Sequence, residues 1–95
     1  MYGMFNFMSM ADNYEERKVD NTKFEKTEID TCSVTDSNQD YETGIKDPRY
    51  NDGDWIIVEM YDTKEEAQTG HNKWVETMRN NPPSELKDMS TCEWA

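Results

Sequence analysis

Histidine and cysteine are scarce in this chain, glycine-rich loops and long apolar runs are missing, and each shortage removes a class of function. Among 95 residues there is one histidine, His71, and two cysteines, Cys32 and Cys92. Neither cysteine stands in a CxxC pair, so a zinc site has no ligand set. The spacing allows a single disulfide without demanding it, and two reduced, half-buried thiols is the reading taken. No glycine-rich loop precedes a helix, which removes a phosphate cradle. No stretch nears the roughly 20 apolar residues of a membrane span. The opening MYGMFNFMSMADNYEE is apolar at first but has neither a basic leader nor a small-residue cleavage site, so neither secretion nor membrane insertion is expected. Basic residues number 10 against 21 acidic ones, a net charge of -11. They are scattered singly among acids, and such a surface repels nucleic acid and anionic membrane. With 34% hydrophobic residues and a mean hydropathy of -1.13, the chain supports one domain with one modest layer of core.

What is present is concentrated in DWIIVEMYDTKEEAQTGHNKWVETM, residues 54 to 78. Trp55, Ile56, Ile57, Val58, Met60 and Tyr61 follow the turn residues Asn51, Asp52 and Gly53, which predicts a strand, with Gly53 supplying a positive φ. Thr63 stands three residues before Glu66, a capping-box spacing, and Glu65 and Glu66 sit where a helix dipole favours anions. The helix predicted from there covers 64 to 79. Its apolar stripe is Ala67, Gly70, His71, Trp74, Val75 and Met78, and Lys64, Glu65, Gln68, Asn72, Lys73 and Glu76 face water.

The expected fold class is α+β: a small antiparallel sheet covered by that one helix, with extended N- and C-terminal arms. Its hairpin pairs 41–46 with 54–61 across a loop holding Pro48 and Gly53. TKFEKTEIDTCSVT, residues 22 to 35, reads as a strand or strand pair whose alternation slips between Phe24 and Ile29, the mark of a bulge. Residues 15 to 22 read as a linker or an exposed edge, and Asp36 to Asp40 as a loop. Asn80-Asn81-Pro82-Pro83 stops the helix, and Leu86 and Met89 begin a last short strand or turn. The organisation expected is an apolar arm and linker over 1–21, one domain over 22–90 and a tail over 91–95. Met4, Phe5, Phe7 and Met8 gather soft and aromatic side chains in the first arm, and Trp94 adds an indole at the other end. Such groups suit a groove on a partner or neighbouring copy, or a fold back over the chain's own core.

Candidate chemistry is thin. His71 falls on the apolar stripe, where a packed imidazole with one satisfied nitrogen is the expectation, and no Ser or Cys is placed beside it. Carboxylates are too abundant for any pair to be informative. Asp52, Gly53 and Glu59 match the second half of a calcium loop, but Pro48 and Tyr50 occupy positions that need Asp or Asn. A hairpin turn explains them. No catalytic, cofactor or metal residue is therefore assigned.

The run YETGIKDPRYNDGDWIIVEMYDTKEEAQTGHNKWVETM, residues 41 to 78, resembles a group of small uncharacterised proteins of tailed bacteriophages. In these, a YET strand, an N-x-G or D-G turn, a WxxVE strand and a D-T-x-E-E-A-x-x-G-H-x-x-W-V helix occur together. The matched positions are structural: Asp62 and Thr63 cap, Ala67, Gly70, His71 and Trp74 pack, Trp55 and Val58 fill the core. The resemblance implies a non-enzymatic viral protein acting by protein–protein contact. One expectation is a virion head or capsid-associated accessory subunit, present in the host cytoplasm before assembly. Its partners would be phage structural proteins or other copies of itself, met through Met4, Phe5, Phe7, Met8 and Trp94. The alternative is a small acidic inhibitor of a host enzyme or defence system, meeting a basic host protein, DNA mimicry included. Neither involves direct nucleic-acid or membrane binding.

Overall fold

The computed structural model describes residues 17–35, 39–89 and, as backbone, 93–94. The expected α+β architecture is what forms. Four strands make an antiparallel meander in chain order, β1 (Lys18–Phe24), β2 (Thr27–Ser33), β3 (Tyr41–Lys46) and β4 (Ile56–Tyr61), and helix α1 (Lys64–Asn80) lies across them. Two short strands, β5 (Lys87–Asp88) and β6 (Glu93–Trp94), pair with each other. The Met89 amide also donates to the Ile57 carbonyl at 2.7 Å, tying this C-terminal segment to the outer strand β4. No helix among the described residues is long and apolar enough to cross a membrane.

Two details differ from the expectation. The slip between Phe24 and Ile29 is a hairpin turn, with Glu25 at a φ of 53°, and not a bulge. Strand β1 begins at Lys18, inside the stretch whose composition suggests a linker or exposed edge, and it is the edge strand beyond β2. Irregularities fall elsewhere, at Lys18/Asp20 and opposite Thr43/Gly44. In the second, Gly44 pairs with Ile57 and Thr43 with Glu59, leaving Val58 as the extra residue.

The register sorts the sheet into rungs. Thr22, Ile29, Ile45 and Ile56 are cross-strand neighbours, and so are Asp20, Thr31, Thr43 and Glu59. The first rung, apart from Thr22, belongs to the core under the helix's second half, where Ile29, Ile45, Ile56, Val58 and Tyr50 meet Met78, Leu86, Trp74 and Val75. Because side chains alternate between faces, the intervening rung points the other way. There Cys32, Val34, Trp55 and Ile57 form a second buried cluster with Met60 against it. Trp55 and Val58 thus both fill core, on opposite faces of one sheet.

The ends of α1 follow the sequence closely. Thr63 caps it, accepting from the Glu66 amide at 3.1 Å, while the returning Glu66 carboxylate reaches the Asp62 amide at 3.3 Å in place of the Thr63 amide. Asn51, Asp52 and Gly53 all take positive φ, with Gly53 at 88° as its turn position requires.

Candidate functional site

Beneath the first half of the helix the core is polar. His71 is completely buried, with its Nδ1 2.8 Å from Thr31 Oγ1 and its Nε2 2.9 Å from Thr22 Oγ1. Thr31 Oγ1 lies 2.6 Å from Thr43 Oγ1, and Thr43 Oγ1 lies 3.0 Å from the Tyr61 hydroxyl. Tyr61 in turn donates to Glu59 Oε1 at 3.2 Å, which also receives Trp74 Nε1 at 2.8 Å and Lys73 Nζ at 2.9 Å. One hydrogen-bonded chain therefore crosses all four strands and returns to the helix.

The direction of that chain follows from proton counting. Ionised Glu59 only accepts, so the single Tyr61 proton is used on it and Thr43 must donate to Tyr61. Thr31 then donates to Thr43, and His71 Nδ1–H donates to Thr31. Nε2 of a neutral ring is left to accept from Thr22. This assignment of the tautomer rests on the network, with hydrogens placed by donor and acceptor logic. Burial keeps the ring neutral by lowering its pKa, against a smaller opposing pull from Asp20 and Asp30. Asp20 Oδ2 stands 3.9 Å from Nε2 and accepts from Gln68 at 2.9 Å. Burial, followed by the Thr43 bond and the nearby Glu59 charge, sets Tyr61, whose net shift is upward, so it stays protonated. Burial alone would raise Glu59, but donation from Lys73, Trp74 and Tyr61 outweighs it and the net shift is downward.

Such an imidazole is poorly placed for catalysis. Its Nδ1 rests on a hydroxyl where a nucleophile-activating triad would place a carboxylate, and Nε2 is occupied by a threonine inside the fold. The sequence led us to expect one satisfied nitrogen; the structure satisfies both. Gly70, next to it, is demanded by Tyr61, because a Cβ there would lie 2.2 Å from the phenolic oxygen.

A second polar cluster holds the β3–β4 loop. Asp47 is buried, and accepts from Arg49 Nε at 3.0 Å, Arg49 Nη2 at 2.7 Å, the Arg49 amide at 2.8 Å and the Thr27 hydroxyl. The Arg49 side-chain bonds are the main reason its carboxyl is held down at about 2. Tyr50 donates to the Pro83 carbonyl at 2.6 Å, fastening this loop to the chain beyond the helix. Cys32 is a free, buried thiol, pushed up to about 12 by burial first and then by Asp30 and Glu42. A thiol so protonated is a weak nucleophile.

Of the residues expected to contact a partner, Met4, Phe5, Phe7 and Met8 lie outside the described residues, as does Cys92. Trp94 is placed by its backbone in β6, opposite Lys87. Asp52, Gly53 and Glu59 do not gather. Asp52 and Gly53 form a short turn before β4, whereas Glu59 belongs to the network at the strand's other end. Sequence reasoning missed Thr22, Thr31, Thr43 and Asp47, since isolated threonines and one aspartate in a chain so acidic carry no local signal. The groove between β4 and the first half of α1 has a volume of about 520 Å³, with Tyr61 and Gly70 among its lining residues and Glu59, Asp62, Glu65, Glu66 and Lys73 around them.

The described residues form a four-stranded antiparallel meander under one helix, its interior bridged by a directed polar chain. No family model, no curated protein and no solved structure matches this chain.

Proposed function

We propose that this is a non-enzymatic bacteriophage protein that works by protein contact, as a head- or capsid-associated accessory subunit of the virion. The observation that carries the contact reading is the consumption of reactive groups by the fold. The single imidazole, the Thr31 and Thr43 hydroxyls and the Cys32 thiol are buried, and the half-buried Thr22 hydroxyl is spent on the ring, while the surface left over is dominated by carboxylates. The phage assignment is supported by the resemblance of residues 41 to 78. Of its motif residues, Thr43, Glu59, Gly70, His71 and Trp74 lie in or beside the polar chain, while Trp55 and Val58 fill core and Thr63 caps the helix, which fits a shared scaffold better than a shared reaction.

Mass spectrometry of purified virions tests the assignment. The expected result is this chain at a fixed copy number per particle. Absence from the particle overturns the structural role and favours the acidic-inhibitor alternative, which calls for 1:1 binding to one basic host protein with strong salt dependence. Substitution His71→Ala tests the non-enzymatic part. It is expected to cost about 1 to 3 kcal/mol of stability through the broken network. An activity lost in a variant of unchanged stability would sink it.

A further inference from the structure

Glu59 is held in an unusual way. Tyr61, Lys73 and Trp74 all donate to its Oε1, and Oε2 receives none of these bonds. The side chain is 35% exposed, its carboxyl is kept ionised, and it lines the 520 Å³ groove between β4 and α1. Among the described residues, three donors thus fix a carboxylate at the groove through one oxygen and leave the other without a bond from them. The helix dipole accounts for Glu65 and Glu66 in the first turn of α1. It does not account for Glu59, which reaches the helix side of the sheet through the β4 bulge.

We infer that this groove docks an extended lysine- or arginine-bearing segment of a partner protein, one basic side chain pairing with Glu59 Oε2 and its neighbours with Asp62 and Glu65. The inference rests on the contact reading above and names its class of partner. Charge selects that occupant: four carboxylates line the groove against the single Lys73 ammonium. A second copy of the chain would bring a net charge of -11 and be repelled. A doubly charged metal ion would face the Lys73 ammonium 2.9 Å from Glu59 Oε1. A basic side chain carries one charge and donates hydrogen bonds to the open oxygen.

The test is an amide NMR titration of the full chain with a ten-residue oligolysine, and with a glycine–serine peptide of equal length as control. Saturable shifts confined to the groove residues are expected with oligolysine alone, weakening as salt is added. Glu59→Gln should weaken binding about tenfold. Glu65→Gln, an exposed change that leaves the fold intact, should weaken it about threefold. The inference fails if shifts spread evenly over the acidic surface or if both variants bind like the parent. It also fails if magnesium alone reproduces the groove shifts, or if the same shifts appear with protein concentration and no peptide, which would make a second copy the occupant. A silent groove in a chain found in virions defeats this inference and leaves the head-associated reading intact. A binding groove in a chain absent from virions does the reverse.

Discussion

At the scale of the residue, the pair Gly70 and Tyr61 shows how one side chain dictates another. The Tyr61 ring is buried and its hydroxyl is bonded at both ends, to Thr43 and Glu59, so it cannot swing away from an added methyl group. Gly70→Ala should therefore cost about 2 kcal/mol in urea denaturation despite alanine's better helix propensity. In a Tyr61→Val background the same change should cost nothing or stabilise, because the obstructing ring is gone. Equal costs in the two backgrounds would show that the clash is not the cause. His71 obeys the same logic of enclosure, since every polar atom of the ring is matched by a hydroxyl whose own proton is already directed.

At the scale of the element, strand β4 is decided by its extra residue. A regular strand would alternate Ile56, Ile57, Val58 and Glu59 strictly, sending Glu59 to the face away from the helix. The bulge at Val58 turns it toward Trp74 and Lys73 instead. At the helix start, Thr63→Ala should lower stability by about 1 kcal/mol in thermal denaturation, through loss of the bond to the Glu66 amide. In the β3–β4 loop the lever is pH. The Asp47 carboxyl sits at about 2 in the folded protein against an ordinary 3.8, so the folded state favours its ionised form. Its contribution, about 2 kcal/mol, is present above the unfolded value and is lost as pH falls through about 2. Asp47→Asn should remove that segment of the pH dependence of urea midpoints. The His71 shift runs in the same direction from a higher starting point: the lowered folded value adds stability above 6.5 that is lost on acidification.

At the scale of the whole molecule, charge and layering act against each other. A modest core carries a net charge of -11, and only a few ion pairs join the described residues, the closest being Arg49 to Asp47 and Lys73 to Glu59. Self-repulsion should therefore dominate the salt response. Raising sodium chloride from about 0.05 to 0.5 M is expected to raise the melting temperature by roughly a few degrees as repulsion is screened. A fall would mean that the ion pairs contribute more than the repulsion removes. The sheet is also buried on both faces, with Cys32, Val34, Trp55 and Ile57 opposite the helix side. Residues 55–58 show no alternation of apolar with polar, the pattern of a strand covered on both faces.

Local rules were enough for the amino-acid sequence to determine the helix, its Thr63 cap, its Gly70–His71–Trp74 face, the positive φ at Gly53 and the hairpin of residues 41 to 61. The helix features depend on neighbours within a few positions along the chain, and the hairpin on the turn residues between its two strands. Tertiary structure alone decided that Thr22 and Thr31 meet at the imidazole and connect through Thr43 and Tyr61 to Glu59, that Asp47 is buried against Arg49 and Thr27, and that Glu59 opens onto a groove. Those groups come from different strands, and their meeting is set by cross-strand register and one inserted residue, which shift without altering the hydrophobic pattern that a sequence displays.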